Sequence, residues 1–391
     1  MEFINVKLSD IGEVVGGATP STRNPGNYDG NIAWITPKDL AGYNKVYISK
    51  GERNITEMGF KSCSTKILSK NSVLFSSRAP IGYVAISAND LCTNQGFKSI
   101  IPNDKIDYKF LYYLLKHNKD YIASKGSGST FKEVSGSVMK GIELSIPKNI
   151  NDQKKISKVL FDMDKKIELN NEINNNLYEL CRKIFKQTFN YDMSFESLDS
   201  LCSEITRGYT KNYVEKSNLI NLNQKVNKGQ NLEKQYYKYL DENQNIPKNR
   251  YVRKNDILLN SLGQGTLGRV HLFEENVNNV VIDQHISILR TGARISPYYL
   301  YYLLSSNEYQ NKIENSVTGT TGMLMLNISV VRCLKIPVPN KKDIDYFDSI
   351  AKVCMNKITI NTLENEKLIE LRDTLLPKLM NGEINLDNIE I

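Results

Sequence analysis

One segment of the chain has the glycine spacing of a cofactor-binding loop. Residues 263–268 read GQGTLG, which matches the GxGxxG fingerprint of dinucleotide-binding proteins. In those proteins the glycines follow a strand and open a helix, whose N-terminus binds the pyrophosphate. Here the next residues, RVHLF at 269–273, have the pattern of a strand instead. We therefore expect a glycine-rich turn at this position rather than a cofactor site.

Other residues that could perform catalysis or bind a metal form no recognisable site. The sequence has no Asn/Asp-Pro-Pro-aromatic motif of adenine methyltransferases, no GxxxxGK[ST] phosphate loop and no HExxH zinc motif. Its three histidines and six cysteines are scattered, without a CxxC pair. Asp283, His285 and Cys92 are candidate acids or nucleophiles, but the sequence assigns no partner to them. These observations predict a non-catalytic protein with no metal or cofactor of its own.

Side chains suited to nucleic-acid binding are more frequent. Lys, Arg and small hydroxyl or glycine loops contact phosphates, whereas Arg, Asn, Gln, Ser and Thr read base edges. The candidates within residues 1–149 are Thr19, Arg23, Thr36, Lys38, Ser77, Arg78, Gln95, Ser127, Ser129, Thr130 and Lys132. The candidates within residues 191–340 are Arg207, Tyr209, Lys211, Asn260, Ser261, Gln264, Thr266, Arg269, Gln284, His285, Thr320 and Thr321. Any of the Ser and Thr residues could instead form a turn or a cap.

The charge distribution is compatible with this interpretation without requiring it. The 391 residues include 51 basic and 43 acidic side chains, a net charge of +8. Residues 1–149 carry +6 of this and residues 191–340 carry +3. A net charge of this size fits a solvated surface about as well as a nucleic-acid partner.

A length of 391 residues predicts two or three domains.

Neither a targeting segment nor a membrane segment is recognisable. No apolar run approaches the ~18–20 residues that span a bilayer. The N-terminal sequence MEFINVKLSD lacks the basic, apolar and cleavage regions of a signal peptide. Widely spaced cysteines in such a chain are typical of reduced thiols. We therefore expect a cytoplasmic protein that makes no membrane contact.

The chain contains an internal repeat with a period near 190 residues, and such a repeat determines the fold class. Matching segments occur in the same order in both copies: NSVLFSS at 71–77 and NDILLNS at 255–261, DYKFLYYLL at 107–115 and SPYYLYYLL at 296–304, GSGST at 126–130 and TGTTG at 318–322, and IELSIP at 142–147 and LKIPVP at 334–339. The first ~150 residues of each copy have short β-branched and aromatic runs separated by turn residues, which predicts strands with a few helices. The tyrosine pairs at 112–113 and 301–302 are predicted to lie in the core or at the rim of helices.

A long helix is predicted after each proline-containing segment, because ~40 residues there have helical periodicity. The seam of the first helix comprises Ile156, Leu160, Met163, Ile167, Asn170, Asn174, Leu177, Cys181 and Ile184. The seam of the second comprises Phe347, Ala351, Cys354, Ile358, Asn361, Asn365, Leu368, Arg372 and Leu375. Steps of four and three predict an antiparallel coiled coil in which Asn170 meets Asn365 and Asn174 meets Asn361. Alternatively, the asparagine-rich run at 170–176 breaks the first helix, because asparagine is a poor helix former.

The ordered motifs resemble the specificity (S) subunits of type I restriction–modification systems. The resemblance rests on LSDIGEV at 8–14 with GGATPS at 16–21, WITPKDL at 34–40, the loop at 126–130, DQKKI at 152–156 and LRDTLLPKLMNGEI at 371–384. It covers essentially the whole chain. The second copy departs from it at 342–344, where KDI replaces the usual Gln, and we expect the helix start to tolerate that change.

The resemblance and the repeat imply an α/β fold of the α+β type. Two homologous globular target recognition domains would be separated by two long antiparallel helices that form a coiled-coil spacer, with a pseudo-two-fold repeat. The implied boundaries are 1–149 for target recognition domain 1, 150–190 for spacer helix 1, 191–340 for target recognition domain 2, 341–381 for spacer helix 2 and 382–391 for a C-terminal tail.

The same resemblance implies a function. The chain would bind a bipartite, asymmetric site in duplex DNA and would scaffold two methyltransferase (M) subunits and, through them, restriction (R) subunits. S-adenosylmethionine, ATP and Mg²⁺ would belong to those partners. The main alternative is a tandem-repeat adhesion or assembly protein without a nucleic-acid partner. A stand-alone methyltransferase is disfavoured by the missing motif.

Overall fold

The computed structural model describes residues 1–128, 132–209, 212–263, 265–317 and 325–384. The chain divides into two compact units. The first unit comprises Met1–Asn171 and Leu363–Ile391, and the second comprises Glu172–Thr362. Each unit therefore contains one globular block and a part of both long helices.

The globular block of the first unit mixes strands with short helices. Its strands are β1 (Phe3–Lys7), β2 (Gly12–Gly16), β3 (Tyr28–Ile35), β4 (Tyr47–Ile48), β5 (Asn54–Ile55), β6 (Val73–Ser77), β7 (Ile81–Ser87), β8 (Cys92–Thr93), β9 (Lys98–Pro102) and β10 (Glu143–Pro147). Its helices are α1 (Leu8–Ile11), α2 (Glu57–Lys61), α3 (Tyr108–His117), α4 (Lys119–Ser124) and α5 (Gly136–Gly141), with 3₁₀ turns at Pro25–Asn27 and Pro37–Leu40. The long helix α6 (Ile150–Thr188) follows.

The globular block of the second unit contains a similar set of strands and short helices. Its strands are β11 (Ser194–Ser197), β12 (Cys202–Arg207), β13 (Tyr213–Val214), β14 (Leu219–Leu222), β15 (Lys238–Leu240), β16 (Ile257–Asn260), β17 (Val270–Leu272), β18 (Val280–Ile282), β19 (Ile286–Thr291) and β20 (Lys335–Val338). Its helices are α7 (Leu198–Leu201), α8 (Pro297–Leu304), α9 (Asn307–Asn315) and α10 (Ile328–Cys333), with 3₁₀ turns at Lys234–Tyr236 and Lys248–Arg250. The long helix α11 (Lys341–Met380) follows.

Sheet topology repeats between the two units. The main sheet has the order β2-β9-β6-β7 in the first unit, with β4 added at the edge, and β12-β19-β16-β17 in the second. A two-stranded antiparallel ribbon also occurs twice, as β1-β10 and β11-β20. The third sheet keeps one parallel pair, β3-β8 or β14-β18, but its other strands differ. The α+β class predicted from the sequence is therefore confirmed.

Backbone details repeat as well. Asn71 and Asn255, at matching positions before β6 and β16, have φ angles of 71° and 72°. Asparagine tolerates this left-handed conformation better than most residues. Side-chain caps begin both aromatic helices: Asp107 accepts a bond from the Phe110 amide at 2.9 Å, and Ser296 accepts one from the Tyr299 amide at 3.0 Å. The tyrosine pairs of α3 and α8 are buried, as predicted.

The long helices pair antiparallel within each unit. In the first unit the Asn170 side-chain amide donates to Asn365 Oδ1 at 2.9 Å, and in the second the Asn361 amide donates to Asn174 Oδ1 at 2.8 Å. These are the partners that the heptad seam predicts. Because α6 is continuous from Ile150 to Thr188, the alternative in which the asparagine run breaks the helix is wrong.

Next to the asparagines, the first unit buries an ion pair in the seam. Asp164 accepts a hydrogen bond from Arg372 and another, at 2.6 Å, from the Tyr113 hydroxyl. Arg372 also donates to Asp373 at 2.8 Å. The position of Arg372 in the apolar seam is thus explained by a charge of opposite sign on the facing helix.

Candidate nucleic-acid interface

Three loops of the first unit meet at one edge of the main sheet. The Ala18 amide donates to the Thr93 carbonyl at 3.1 Å, and the Ser77 amide donates to the Gly96 carbonyl at 2.8 Å. A Cβ at Gly17 would lie 2.1 Å from the Thr93 carbonyl oxygen, so only glycine fits there. The loops after β2, after β6 and before β9 are therefore fixed against one another by their backbones.

Candidates predicted from the sequence surround a concave surface at this edge, which we call the first-unit cleft. It is lined by Thr36, Pro37, Lys38, Arg78, Ala79, Asn94, Gly96 and Glu133. Arg78 and Lys98 lie 3.5 and 3.2 Å from the carboxylate of Glu133, and Lys38 lies 2.7 Å from Glu52. The cations at and beside the cleft, Lys38, Arg78 and Lys98, are therefore each paired with a carboxylate of this chain. A polyanion such as nucleic acid could replace those carboxylates as the partner.

The remaining described candidates of the first unit lie in exposed loops or cap local turns. The exposed Thr19 hydroxyl donates to Gln95 Oε1, which joins two of the edge loops. Thr36 donates to Asp39 Oδ2 at 2.6 Å and so caps the 3₁₀ turn that carries Lys38. Three further candidates are exposed: Arg23, Ser127 and Lys132.

The second unit builds the same sheet edge from its own loops. The Tyr209 amide donates to the Ile282 carbonyl at 2.9 Å, and the Ser261 amide donates to the His285 carbonyl at 2.7 Å. A Cβ at Gly208, the repeat equivalent of Gly17, would lie 2.1 Å from the Asp283 carbonyl oxygen. The close approach that requires glycine is thus present in both units.

Polar candidates of the second unit are more strongly tied to the backbone. Arg269 donates to the Gly265 carbonyl at 2.7 Å, and Arg207 donates to the Leu326 carbonyl. Thr266 donates to the Gly263 carbonyl at 3.2 Å. Gln284 is exposed.

Asp283 and His285, which the sequence left without partners, pair with each other. His285 Nδ1 lies 2.8 Å from Asp283 Oδ2, and the His285 amide donates to Asp283 Oδ1 at 2.8 Å. Burial raises the pKa of the Asp283 carboxyl, and the hydrogen bonds from His285 oppose that shift. The pair orients the His285 ring at the loop edge.

Three of the predicted DNA-contacting residues have side chains that lie in the core. Ser77 is buried and donates to the Gly96 carbonyl at 3.2 Å. Asn260 is buried between the Gln224 carbonyl and the Asn227 side chain. Ser261 is buried and shares a 2.8 Å hydrogen bond with Ser287. In this structure the side chains of all three are hydrogen-bonded inside the chain and hold the loops in place.

Six further candidates lie outside the described residues. They are Ser129, Thr130, Lys211, Gln264, Thr320 and Thr321. The segment at 263–268 is followed by strand β17, as predicted, and not by the helix that a dinucleotide site needs.

Comparison with known proteins identifies the family. The type I restriction modification DNA specificity domain matches residues 2–179. The MjaIX type I restriction enzyme specificity subunit of Methanocaldococcus jannaschii is 34% identical over 98% of this chain and 94% of its own length. The chain belongs to the type I restriction enzyme specificity subunits. The EcoR124I/EcoR124II specificity subunit of Escherichia coli is 29% identical over 40% of each chain.

A solved structure shares the fold. The S subunit of the type I restriction-modification system from M. genitalium matches with a TM-score of 0.65 at 18% identity, over 97% of this chain and 96% of that chain. At this identity the likeness shows the fold alone. Among the residues that the structure describes, no three His, Cys, Asp or Glu side chains cluster as a metal site, and no helix has the length and apolarity to cross a membrane.

Sequence reasoning missed residues whose importance depends on tertiary contacts. Glu133 lies next to the predicted Lys132 but contacts Arg78 and Lys98 from distant segments. Asn227 donates to Asn260 Oδ1 at 3.0 Å from 33 residues away. The repeat aligns Arg78 with Leu262 and Glu133 with Met325, and both pairs of residues form a β-bridge. Each bridge is a contact between distant segments, so no local sequence pattern indicates it.

Proposed function

We propose that this specificity subunit reads a bipartite, asymmetric site in duplex DNA. The recognition domain at 1–149 would bind one half of the site and the domain at 191–340 would bind the other half. The loop edge of each main sheet would face the DNA, with cationic side chains on the phosphates and polar side chains at base edges.

The observation that carries this proposal is the duplication of the loop edge. Both units fix the same loops with equivalent backbone hydrogen bonds and an equivalent glycine, Gly17 or Gly208. The side chains at these loops nevertheless differ between the units, as Arg78 and Leu262 illustrate. A conserved frame with different side chains is suited to reading two different half-sites. An adhesion or assembly protein gains no support from the family to which the chain belongs.

In this proposal the chain binds partner subunits but catalyses no reaction itself. Two methyltransferase subunits would dock on the paired helices α6 and α11, and restriction subunits would join through them. S-adenosylmethionine, ATP and Mg²⁺ would act on those subunits, while this chain would select the sequence. The complex would work in the cytoplasm, where its DNA substrate lies.

Methylation mapping of the host genome at single-molecule resolution, with and without this gene, tests the proposal directly. We expect the deletion to remove adenine methylation from one bipartite motif with an unspecified spacer. Loss of methylation at a short, uninterrupted motif would contradict the proposal that each of the two domains binds one half of the site. Duplex binding that falls steeply as salt rises would support a DNA partner, and salt-independent or absent binding would count against it.

Arg78 offers a sharper test within the first-unit cleft. If it contacts a guanine through two hydrogen bonds, Arg78→Ala loses ~1–3 kcal/mol of binding free energy and relaxes one base position. Binding to a panel of single-base variants of the site measures this. Uniform weakening over the whole panel would show a phosphate contact instead.

A further inference from the structure

One pair of residues occupies the same place in the loop edge of both units but differs in chemistry. The pair forms a single antiparallel β-bridge, between Arg78 and Glu133 in the first unit and between Leu262 and Met325 in the second. We call these the two bridge pairs. In each unit one member of the pair lies just beyond the end of a main-sheet strand, β6 or β16.

The backbones around the two bridge pairs match closely. In the first unit the Val134 amide donates to the Ser77 carbonyl at 3.0 Å. In the second unit the Leu326 amide donates to the Ser261 carbonyl at 2.9 Å. Each of these bonds joins the residue that precedes one member of the pair to the residue that follows the other. The two pairs of side chains therefore start from equivalent points of the loop edge and would face the same position of their half-sites.

The first bridge pair presents hydrogen-bonding groups. The Arg78 guanidinium lies 3.5 Å from the Glu133 carboxylate, and the two side chains remain 36% and 37% exposed. In the major groove an arginine donates to O6 and N7 of guanine, and a glutamate accepts a hydrogen bond from N4 of cytosine. The first pair is therefore suited to a G·C base pair.

The second bridge pair presents only hydrocarbon and a thioether. Met325 remains 39% exposed, and Leu262 is partly buried. The Arg207 guanidinium donates to the Leu326 carbonyl and lies 3.8 Å from the Met325 sulfur, which positions the methionine at the loop edge. The apolar group that a base presents in the major groove is the C5-methyl of thymine. The second pair is therefore suited to an A·T base pair.

The repeat supplies an internal control for this contrast. The bridge forms with charged side chains in one unit and with apolar side chains in the other, so folding does not determine which side chains stand there. The difference extends to a third position. Lys98, which lies 3.2 Å from Glu133, has Ser287 as its repeat equivalent, and that serine is buried and hydrogen-bonded to Ser261. The whole charged group of the first unit is thus replaced in the second.

We propose that the bridge pairs are specificity-determining residues of the two recognition domains. Leu262 and Met325 select a thymine in the second half-site through contact with its C5-methyl group. Arg78 and Glu133 select a G·C pair at the corresponding position of the first half-site. This inference rests on the proposed function, under which each unit binds one half-site of duplex DNA.

Replacing thymine by uracil tests the methyl contact without changing the protein, because uracil lacks only the C5-methyl group. The full-length chain, assembled with its methyltransferase subunit, is titrated with duplexes that carry the methylated motif found by genome mapping. Every thymine of the motif is replaced by uracil in turn. We expect one position at which uracil weakens wild-type binding about three- to fivefold, the effect of one methyl group removed from an apolar contact.

The double variant Leu262→Ala with Met325→Ala identifies the residues that make this contact. It should bind the thymine and uracil duplexes equally well at that position. The matched control is Val277→Ala, at a 36% exposed residue between β17 and β18, where these strands end away from the loop edge. This control should keep the wild-type loss on uracil substitution.

A second variant, Leu262→Arg with Met325→Glu, copies the first bridge pair into the second unit. It should prefer a G·C pair over A·T at the position that the uracil series identifies, and should leave the rest of the motif unchanged. Retained preference for thymine would overturn the proposal, as would a uracil loss of equal size in the alanine double variant or no sensitive thymine in wild type. Wild type that binds no duplex, or methylates no bipartite motif, would instead overturn the proposed function itself.

Discussion

The two units solve the same packing problem with different chemistry at one position of the helix pair. In the first unit Tyr113, Asp164 and Arg372 form a buried polar group. The repeat-equivalent residues in the second unit are Tyr302, Met355 and Cys181, and the Tyr302 hydroxyl contacts the Met355 sulfur at 3.7 Å. The tyrosine is kept, while the charges are replaced by sulfur-containing side chains.

A second position shows the same contrast. At the loop edge, the first unit has Arg78 beside Glu133, and the second unit has a bridge between Leu262 and Met325. The backbone pairing is the same in both. The fold therefore depends on complementary shape at these positions, and charge is an addition specific to one unit.

The largest loss of unfolding free energy is expected when one member of the buried group of Tyr113, Asp164 and Arg372 is removed. Arg372→Cys, which copies the second unit at one position, leaves Asp164 without its cation in a buried site. We expect a loss of about 3–5 kcal/mol of unfolding free energy, measured by urea denaturation. The double variant Asp164→Met with Arg372→Cys copies the second unit fully and should recover to within about 1 kcal/mol of wild type or exceed it. A double variant as unstable as the single one would show that the charges are required.

Acid should destabilise the second unit through a residue that the first unit lacks. His271 Nδ1 lies 2.8 Å from the Gly229 carbonyl, and desolvation lowers the pKa of this histidine to about 4. The repeat equivalent is Ala85. Because unfolded histidine binds a proton below pH ~6.5, the stability that this group contributes is full above pH ~6.5 and is lost as the pH falls toward 4.

The measurement is the unfolding free energy of wild type and His271→Ala between pH 7.5 and 4 (roughly the range of histidine titration). The variant should lose less stability on acidification, whatever its stability at pH 7.5. Parallel pH profiles of the two proteins would contradict this assignment.

Replacing an asparagine pair by leucines should have a smaller, stabilising effect. Asn170 and Asn365 are hydrogen-bonded to each other, so Asn170→Leu with Asn365→Leu removes this buried donor and acceptor together. The other acceptors, Glu364 and Asn171, are partly exposed and can bind water instead. We expect a gain of about 1 kcal/mol with looser helix register, seen as a higher melting temperature and faster amide exchange in the helices. The pair Asn174 and Asn361 should gain more, because Asn361 Oδ1 is buried without a partner among the described residues. A large loss of stability in either double variant would disprove the seam interpretation.

The smallest change in unfolding free energy is expected when the donor and the acceptor of a hydrogen-bonded pair are exchanged. Ser157 donates to Asp107 Oδ1 at 2.8 Å in the first unit, and Ser296 donates to Asp348 Oδ1 at 2.6 Å in the second. These positions are repeat equivalents with donor and acceptor exchanged. Asp107→Ser alone should cost about 0.5–1.5 kcal/mol, and adding Ser157→Asp should return most of it. Chemical denaturation of the four proteins of this cycle gives the coupling, and strict additivity would show that the pair is not an interacting unit.

The sequence was sufficient for features that depend on local pattern and on repetition. The heptad steps located both long helices and matched Asn170 with Asn365, because a seam position determines its own partner. The strand after the glycine-rich turn followed from the residues of 269–273. The helix caps Asp107 and Ser296 are likewise local features, because each side chain binds an amide only three residues further along the chain.

Features that depend on distant contacts were not predictable. Ser77 and Asn260 look like loop side chains in the sequence, but the carbonyls that bind them come from other segments. The same is true of Ile344, which stands where the family usually has Gln, because the contacts of this position come from distant segments. In the first unit Gln153 accepts from the Asp107 amide at 2.9 Å and donates to the Pro147 carbonyl at 2.9 Å, while Ile344 is simply buried.

The exchanged pair Asp107–Ser157 and Ser296–Asp348 constrains how the gene can recombine. If the coding segment of the first recognition domain replaced that of the second, Asp107 would face Asp348, and two carboxylates would share a site built for one. The reciprocal exchange would leave two hydroxyls facing each other. A recognition domain is therefore transferable at full stability only together with the first turns of the helix that follows it, which places the favourable crossover points inside the helices rather than at the domain borders.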